Sequence, residues 1–154
     1  ALTPADFDYE NQQININKSW NYKFKDYGFQ PTKNKSSNRK IFVDDSTLKA
    51  FKKLIKEKDP DQPIFVNQDQ KIFNSTVNSR LATLCRHANI PTISIHGLRH
   101  THASLLLFQG VSVLSVSRRL GHANITTTQE TYLHIIKELE TKDNRKILKH
   151  LKEL

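Results

Sequence analysis

Apolar residues alternate in "QQININKSW" (residues 12–20), where Ile14 and Ile16 share one side. A period of two predicts a strand. "GFQPTKNKSSNRKIFV" (residues 28–43) reads as strand, polar turn, strand, with "KNKSSN" too polar to pack and therefore exposed. "IFVNQDQKIF" (residues 64–73) fits a short hairpin or two extended pieces. From "DDSTLKAFKKLIKEKDP" onward the spacing lengthens to the helical three and four. There Ser46 is the expected cap, Leu48, Phe51, Leu54 and Ile55 form one face, and Pro60 ends the helix. A second helix is expected over residues 76–89, capped by Asn74 or Ser75, with Val77, Leu81, Leu84 and Ala88 inward.

After Pro91 the chain reads as helices separated by punctuation. "HGLRHTHASLLLFQG" places Leu98, Leu105 and Leu106 on a stripe and stops at Gly110. In "SVLSVSRRLG", Ser112 caps and Gly121 stops. "TTTQETYLHIIKELETK" and "RKILKHLKEL" are two further helical stretches, the last with Ile147, Leu148, Leu151 and Leu154 on one side. A small sheet followed by five or six helices predicts a mainly α fold with a small antiparallel β-sheet, an α+β class.

Composition narrows the function. Twenty-four Lys and Arg against fifteen Asp and Glu give a formal charge of +9, which favours a polyanionic partner such as nucleic acid. The single cysteine, Cys85, excludes an internal disulfide framework and fits a reducing cytoplasm. No apolar run approaches the ~20 residues of a membrane helix, so no membrane partner is expected. "ALTPADFDYE" has neither the basic nor the apolar part of a signal peptide, and it lacks an initiator Met.

The chemistry gathers in "HGLRHTHAS". His96 and His100 are four apart, but no CxxC, HExxH or nearby carboxylate completes a metal site, so no metal and no cofactor are expected. Four glycines and no GxxxxGK[ST] exclude a nucleotide-phosphate loop. Two capped-helix pairs imitate helix-turn-helix readout, a pattern that any two short helices match. Phosphoryl transfer accounts for more residues at once. It needs donors for nonbridging oxygens, a nucleophile and an acid for the leaving oxygen, and His96, Arg99, His122 and Tyr132 offer such a set. His96 and Arg99, three apart at a helix start, add the helix terminus's own attraction for phosphate.

"HGLRHTHAS" followed by "LGHANITTTQETY" resembles the catalytic domain of the tyrosine recombinases, the phage and transposon integrase family. That family carries H-x-L-R-H, then L-G-H, then a tyrosine nine or ten positions after that histidine; here the interval from His122 to Tyr132 is ten. "QPTKNKSSNRKIFV" resembles the family's β-hairpin, whose turn holds a catalytic lysine. Lys33 is the best match and Lys35 the alternative. "ALTPADFD" resembles the segment after the family's first catalytic arginine. The resemblance thus places that arginine, and an N-terminal DNA-clamping domain, before Ala1, and implies a C-terminal fragment inactive alone.

The resemblance implies roles. Tyr132 attacks a DNA phosphate and leaves a 3′-phosphotyrosyl link and a free 5′-hydroxyl, without a cofactor. Arg99 grips nonbridging oxygens, His96 and His122 donate to the developing charge, and Lys33 protonates the leaving oxygen. His100 lies in a second layer, packing rather than reacting. His102 and His134 are structural. Lys35, Arg39, Lys40, Arg118 and Arg119 are candidates for DNA-backbone contacts. The expected partners are double-stranded attachment-site DNA and further copies of the protein, as a tetramer on DNA, in the bacterial cytoplasm at the nucleoid. Residues 1–134 are expected to form the catalytic-domain fragment and residues 135–154 a tail helix that packs on its own domain or docks on a neighbouring protomer. Two other readings are a DNA-binding module that keeps the fold without catalysis and a structural domain whose basic face is incidental.

Overall fold

A computed structural model describes residues 1–21, 28–65 and 73–153. The chain forms two compact units, Ala1–Ile95 and His96–Leu154. The first carries all the strands among the described residues: β1 (Phe7–Asp8), β2 (Gln13–Ile16), β3 (Lys18–Asn21), β4 (Gly28–Pro31) and β5 (Arg39–Phe42). It also carries the helices α1 (Asp45–Ile55) and α2 (Asn74–His87). The second is helical: α3 (Ile95–Phe108, entering at its first residue), α4 (Val113–Leu120), α5 (Ile125–Thr131) and α6 (Leu133–Leu151). The mainly α, α+β class is the observed one.

Every strand pair is antiparallel, but the pairing differs from the expected hairpin. The strands on either side of the polar turn do not bond each other. β5 pairs with β2, Ile14 opposite Ile41, and β4 pairs with β3, Trp20 opposite Phe29. The run read as one strand, residues 12–20, is therefore two, each belonging to a different sheet. The turn is ordered by its own polar side chains. Asn34 accepts from the Ser37 amide and from the Ser36 hydroxyl, at 3.0 and 2.9 Å, and Thr32 donates to Asn38 at 2.6 Å. Phe7, Ile14, Leu48, Ile55 and Ile64 form the core of this unit, with the Phe51 ring tilted against Phe7 at 4.9 Å between centroids.

Several helix details move. Asp44, not Ser46, caps α1: its carboxylate accepts from the Thr47 amide at 2.9 Å. A carboxylate there also meets the positive end of the helix dipole. Leu54 is half exposed and leaves the core face to Leu48 and Ile55. α2 starts at Asn74 without a side-chain cap, and Cys85 is its buried residue while Leu84 and Ala88 are exposed. The expected hairpin of residues 64–73 lies largely outside the described residues.

In the second unit the punctuation falls where expected. Gly110 (φ +82°) and Gly121 (φ +74°) end α3 and α4 in left-handed geometry. Each end carries the paired bonds of a Schellman turn, Val111 to Leu106 and Gly110 to Leu107, then His122 to Ser117 and Gly121 to Arg118. The core is Ala103, Leu107, Val116, Leu120, Tyr132 and Ile135. On α3 the buried leucine is thus Leu107, four after Ala103, while Leu98 and Leu105 are exposed. The two C-terminal helical stretches are one helix, because no Gly or Pro interrupts residues 133–151. Its break lies earlier, at Tyr132. Among the described residues no helix is long and apolar enough to cross a membrane.

Candidate active site

α3 starts at Ile95, so His96 stands in its first turn and Arg99 and His100 follow one turn later. Arg99 is half-buried, and its guanidinium donates to the Leu120 carbonyl at 2.6 Å. That carbonyl is at the C-terminal end of α4, where the helix dipole is negative. The Schellman turn at Gly121 then sets the backbone of His122, whose Nδ1 lies 2.7 Å from the hydroxyl of the fully buried Thr128.

Tyr132 stands between α5 and α6 and belongs to neither. Its amide donates to the Thr128 carbonyl at 3.0 Å, and its own carbonyl accepts from Ile135 and Ile136. Its ring fills the core and only 3% of the residue is exposed. The hydroxyl reaches out to His100 Nδ1 at 3.0 Å, and the His100 ring meets His96 edge to face at 4.8 Å. Burial pushes the Tyr132 phenol up from its ordinary pKa, and the Arg99 cation offsets part of that rise.

The structure therefore brings Tyr132, His100, His96, Arg99 and His122 into one set of contacts within the second unit. Thr128 is the member that sequence reasoning missed: its carbonyl holds Tyr132 and its hydroxyl holds His122. The one available signal was a run of three threonines four to six positions after His122, with nothing to choose among them.

Arg118 is exposed, whereas Arg119 donates through Nε to His102 Nε2 at 2.9 Å. Burial, then the Arg119 charge, push the His102 pKa down, which keeps that nitrogen an acceptor. Lys33, Lys35, Arg39 and Lys40 are in the first unit. Lys33, Lys35 and Lys40 are exposed, and Arg39 is half-buried with a bond to the Ser37 carbonyl at 2.8 Å. Among the described residues no three His, Cys, Asp or Glu side chains are grouped to hold a metal ion.

Residues 1–138 match the sequence model of the phage integrase family. The chain belongs to the phage integrase family. An integrase of Staphylococcus phage L54a is 29% identical over 164 residues, covering 97% of this chain and 46% of its own length. The ICEBs1 integrase of Bacillus subtilis is 25% identical over 88% of this chain and 40% of its own length. Among solved structures, the Tn1549 transposon integrase in complex with transposon right end DNA superposes with a TM-score of 0.71. It is 25% identical and covers 85% of this chain and 47% of that one. XerA recombinase, 23% identical over 92% of this chain and 50% of its own, has a TM-score of 0.65 and shares the fold. The chain spans about half the length of these relatives. The integrase match spans both units, sheet and helices alike.

Proposed function

We propose that this chain supplies the strand-cleaving part of a site-specific DNA recombinase. The observation that carries this reading is the contact set that ties a buried tyrosine hydroxyl to two histidines beside a backbone-held arginine. The Tyr132 oxygen attacks a DNA phosphorus, a 3′-phosphotyrosyl bond forms and the P–O5′ bond breaks. The new ester keeps the energy of the old one, so attack by another strand's 5′-hydroxyl rejoins DNA without an external energy source. Arg99 holds two nonbridging oxygens through its planar fork. His96 and His122 donate to the charge that develops on them. Thr128 engages His122 at Nδ1 and so fixes the plane of its ring. Lys33 delivers the proton to the leaving 5′-oxygen.

Lys35, Arg39, Lys40, Arg118 and Arg119 neutralise DNA phosphates, which makes affinity fall steeply with salt. The protein works on attachment-site duplex in the cytoplasm, as a tetramer. The distal half of α6 supports assembly, because Ile147, Leu148 and Leu151 are more than half exposed and need a surface to cover. A non-catalytic DNA-binding module is not favoured, since it has no use for a tyrosine hydroxyl held next to phosphate-binding cations.

The test is covalent trapping on a nicked attachment-site duplex in the cleavage-competent protein that contains this chain. Tyr132→Phe removes the attacking oxygen, so the adduct disappears while binding persists. A DNA adduct formed by the Phe variant would overturn the assignment.

A further inference from the structure

We propose that His100 is the proton acceptor for Tyr132, a catalytic residue in direct contact with the attacking oxygen. This rests on the recombinase reading above and deepens it. Among the described residues the Tyr132 hydroxyl bonds one side chain, and that side chain is His100, through Nδ1 at 3.0 Å. The neighbouring histidines are engaged elsewhere. His96 meets the His100 ring edge to face, and His122 directs Nδ1 to Thr128.

The chemistry requires a base at this place. A phenol buried in an apolar core keeps its proton at neutral pH, because burial disfavours the phenolate. The Tyr132 ring packs among Ala103, Leu107, Val116, Leu120 and Ile135, and its hydroxyl pKa is raised accordingly. Attack as a neutral phenol would place positive charge on the bridging oxygen, so the proton has to leave as the O–P bond forms. In the tautomer protonated at Nε2, His100 Nδ1 presents its lone pair to that proton. The Tyr132 O–H bond breaks, the O–P bond forms, the P–O5′ bond breaks, and His100 becomes imidazolium. On rejoining, the incoming 5′-hydroxyl gives its proton back to Lys33 and displaces the tyrosine, and His100 returns its proton to the Tyr132 oxygen. Among the described residues, the ionisable groups in contact with His100 are His96 on its own helix and Tyr132 from the α5–α6 junction, with the Arg99 cation acting on the same phenol.

His100 is exposed although its partner is buried, so shortening it opens a path for a small base. His100→Ala and His100→Gln should slow single-turnover cleavage by about 10²-fold or more, the usual contribution of a positioned base. DNA binding and thermal stability should stay near wild type. Free imidazole should restore cleavage to His100→Ala in proportion to its concentration, and should do nothing for Tyr132→Phe. Cleavage by His100→Ala at the wild-type rate or faster, or a loss that imidazole does not relieve, would overturn the proposal. The nitrogen chemical shifts of His100 give a second reading: Nδ1 should be the unprotonated nitrogen, and a proton found there would also overturn it. Failure of the recombinase reading looks different, because Tyr132→Phe would then still form an adduct.

Discussion

The two units treat their candidate catalytic groups in opposite ways. In the second unit three of the groups are held by something buried or by the end of a helix. Arg99 is bonded to the last carbonyl of α4, His122 to the buried Thr128, and Tyr132 is itself part of the core. In the first unit Lys33 projects from a loop whose backbone is tied by Asn34 and Thr32, while the side chain is exposed. The contrast matches the physical task that the proposed function sets. A gripping guanidinium and a nucleophile need fixed geometry before the substrate arrives, because a small misplacement costs rate. A lysine that gives up one proton late in the step needs reach, which a flexible four-carbon stem on an ordered loop provides.

The contrast can be broken with two substitutions. Arg99→Lys keeps the charge but loses the fork and the Leu120 bond, and should lower single-turnover cleavage by about 10²–10³-fold. Lys33→Ala should cost about 10²-fold on ordinary DNA. The two should separate on a substrate with sulfur in place of the 5′-bridging oxygen. A thiolate leaves without a proton, so Lys33→Ala should recover most of its rate and Arg99→Lys almost none. Equal recovery by both would remove the distinction between a group that grips and a group that donates.

Within the second unit a smaller loss tests the buried support. Thr128→Val keeps the shape and removes the hydroxyl, so His122 Nδ1 faces an apolar surface. Cleavage should fall by about tenfold, in line with the ~1–3 kcal/mol cost of an unpaired polar group. Thr128→Ser should restore it. A Val variant as active as wild type would mean that the His122 ring is set by its Schellman-turn backbone alone.

Legibility divides along the same line. His96, Arg99, His122 and Tyr132 could be read directly, because short intervals within helices and turns carry them. The caps at Ser112, Gly110 and Gly121 were legible for the same reason: capping chemistry is local. Sheet pairing is not local. The chain neighbours β4 and β5 invited a hairpin, yet their partners β3 and β2 come from earlier in the chain. Three successive leucines at 105–107 fit any helix face, and only packing around Ala103 selects Leu107. Asp44 and Ser46 could each cap α1, and the carboxylate prevails. The break at Tyr132 leaves no Gly or Pro signal, so a tyrosine at a helix junction looked like one within a helix. Thr128 and the Tyr132–His100 bond link positions 6 and 32 residues apart, and only the fold makes them neighbours.

The smallest expected effect concerns folding and sharpens the comparison from the first unit's side. Asp6 is 5% exposed, the one buried carboxylate among the described residues, and the second unit's buried polar residues are the uncharged Ser117 and Thr128. Burial alone would raise the Asp6 pKa. The Lys18 ammonium and the Thr3 amide and hydroxyl outweigh it, so the net pKa is below the ordinary carboxylate value of 3.8. A depressed carboxylate pKa means that the folded state binds its proton less readily than the unfolded chain. Its stabilisation is therefore complete above the unfolded value and is lost as pH falls through the folded one. Lys18 is 24% exposed, so solvent screens part of the pairing, and Thr3 remains when Lys18 is gone. Lys18→Met should thus cost only about 1 kcal/mol near neutral pH. It should also raise the folded-state Asp6 pKa towards the unfolded value, so that less stability is lost on acidification and the loss is complete at higher pH. Amide hydrogen exchange, corrected for intrinsic rates, reads both units in one sample. Amides of β1 and β2 should start with less protection in the Met variant and lose less of it on acidification than in the wild type, while those of α3 and α4 should keep their wild-type profile. Identical acid profiles for β1 and β2 in both proteins would mean that Thr3 alone holds the carboxylate ionised, and that Lys18 serves only to cover it.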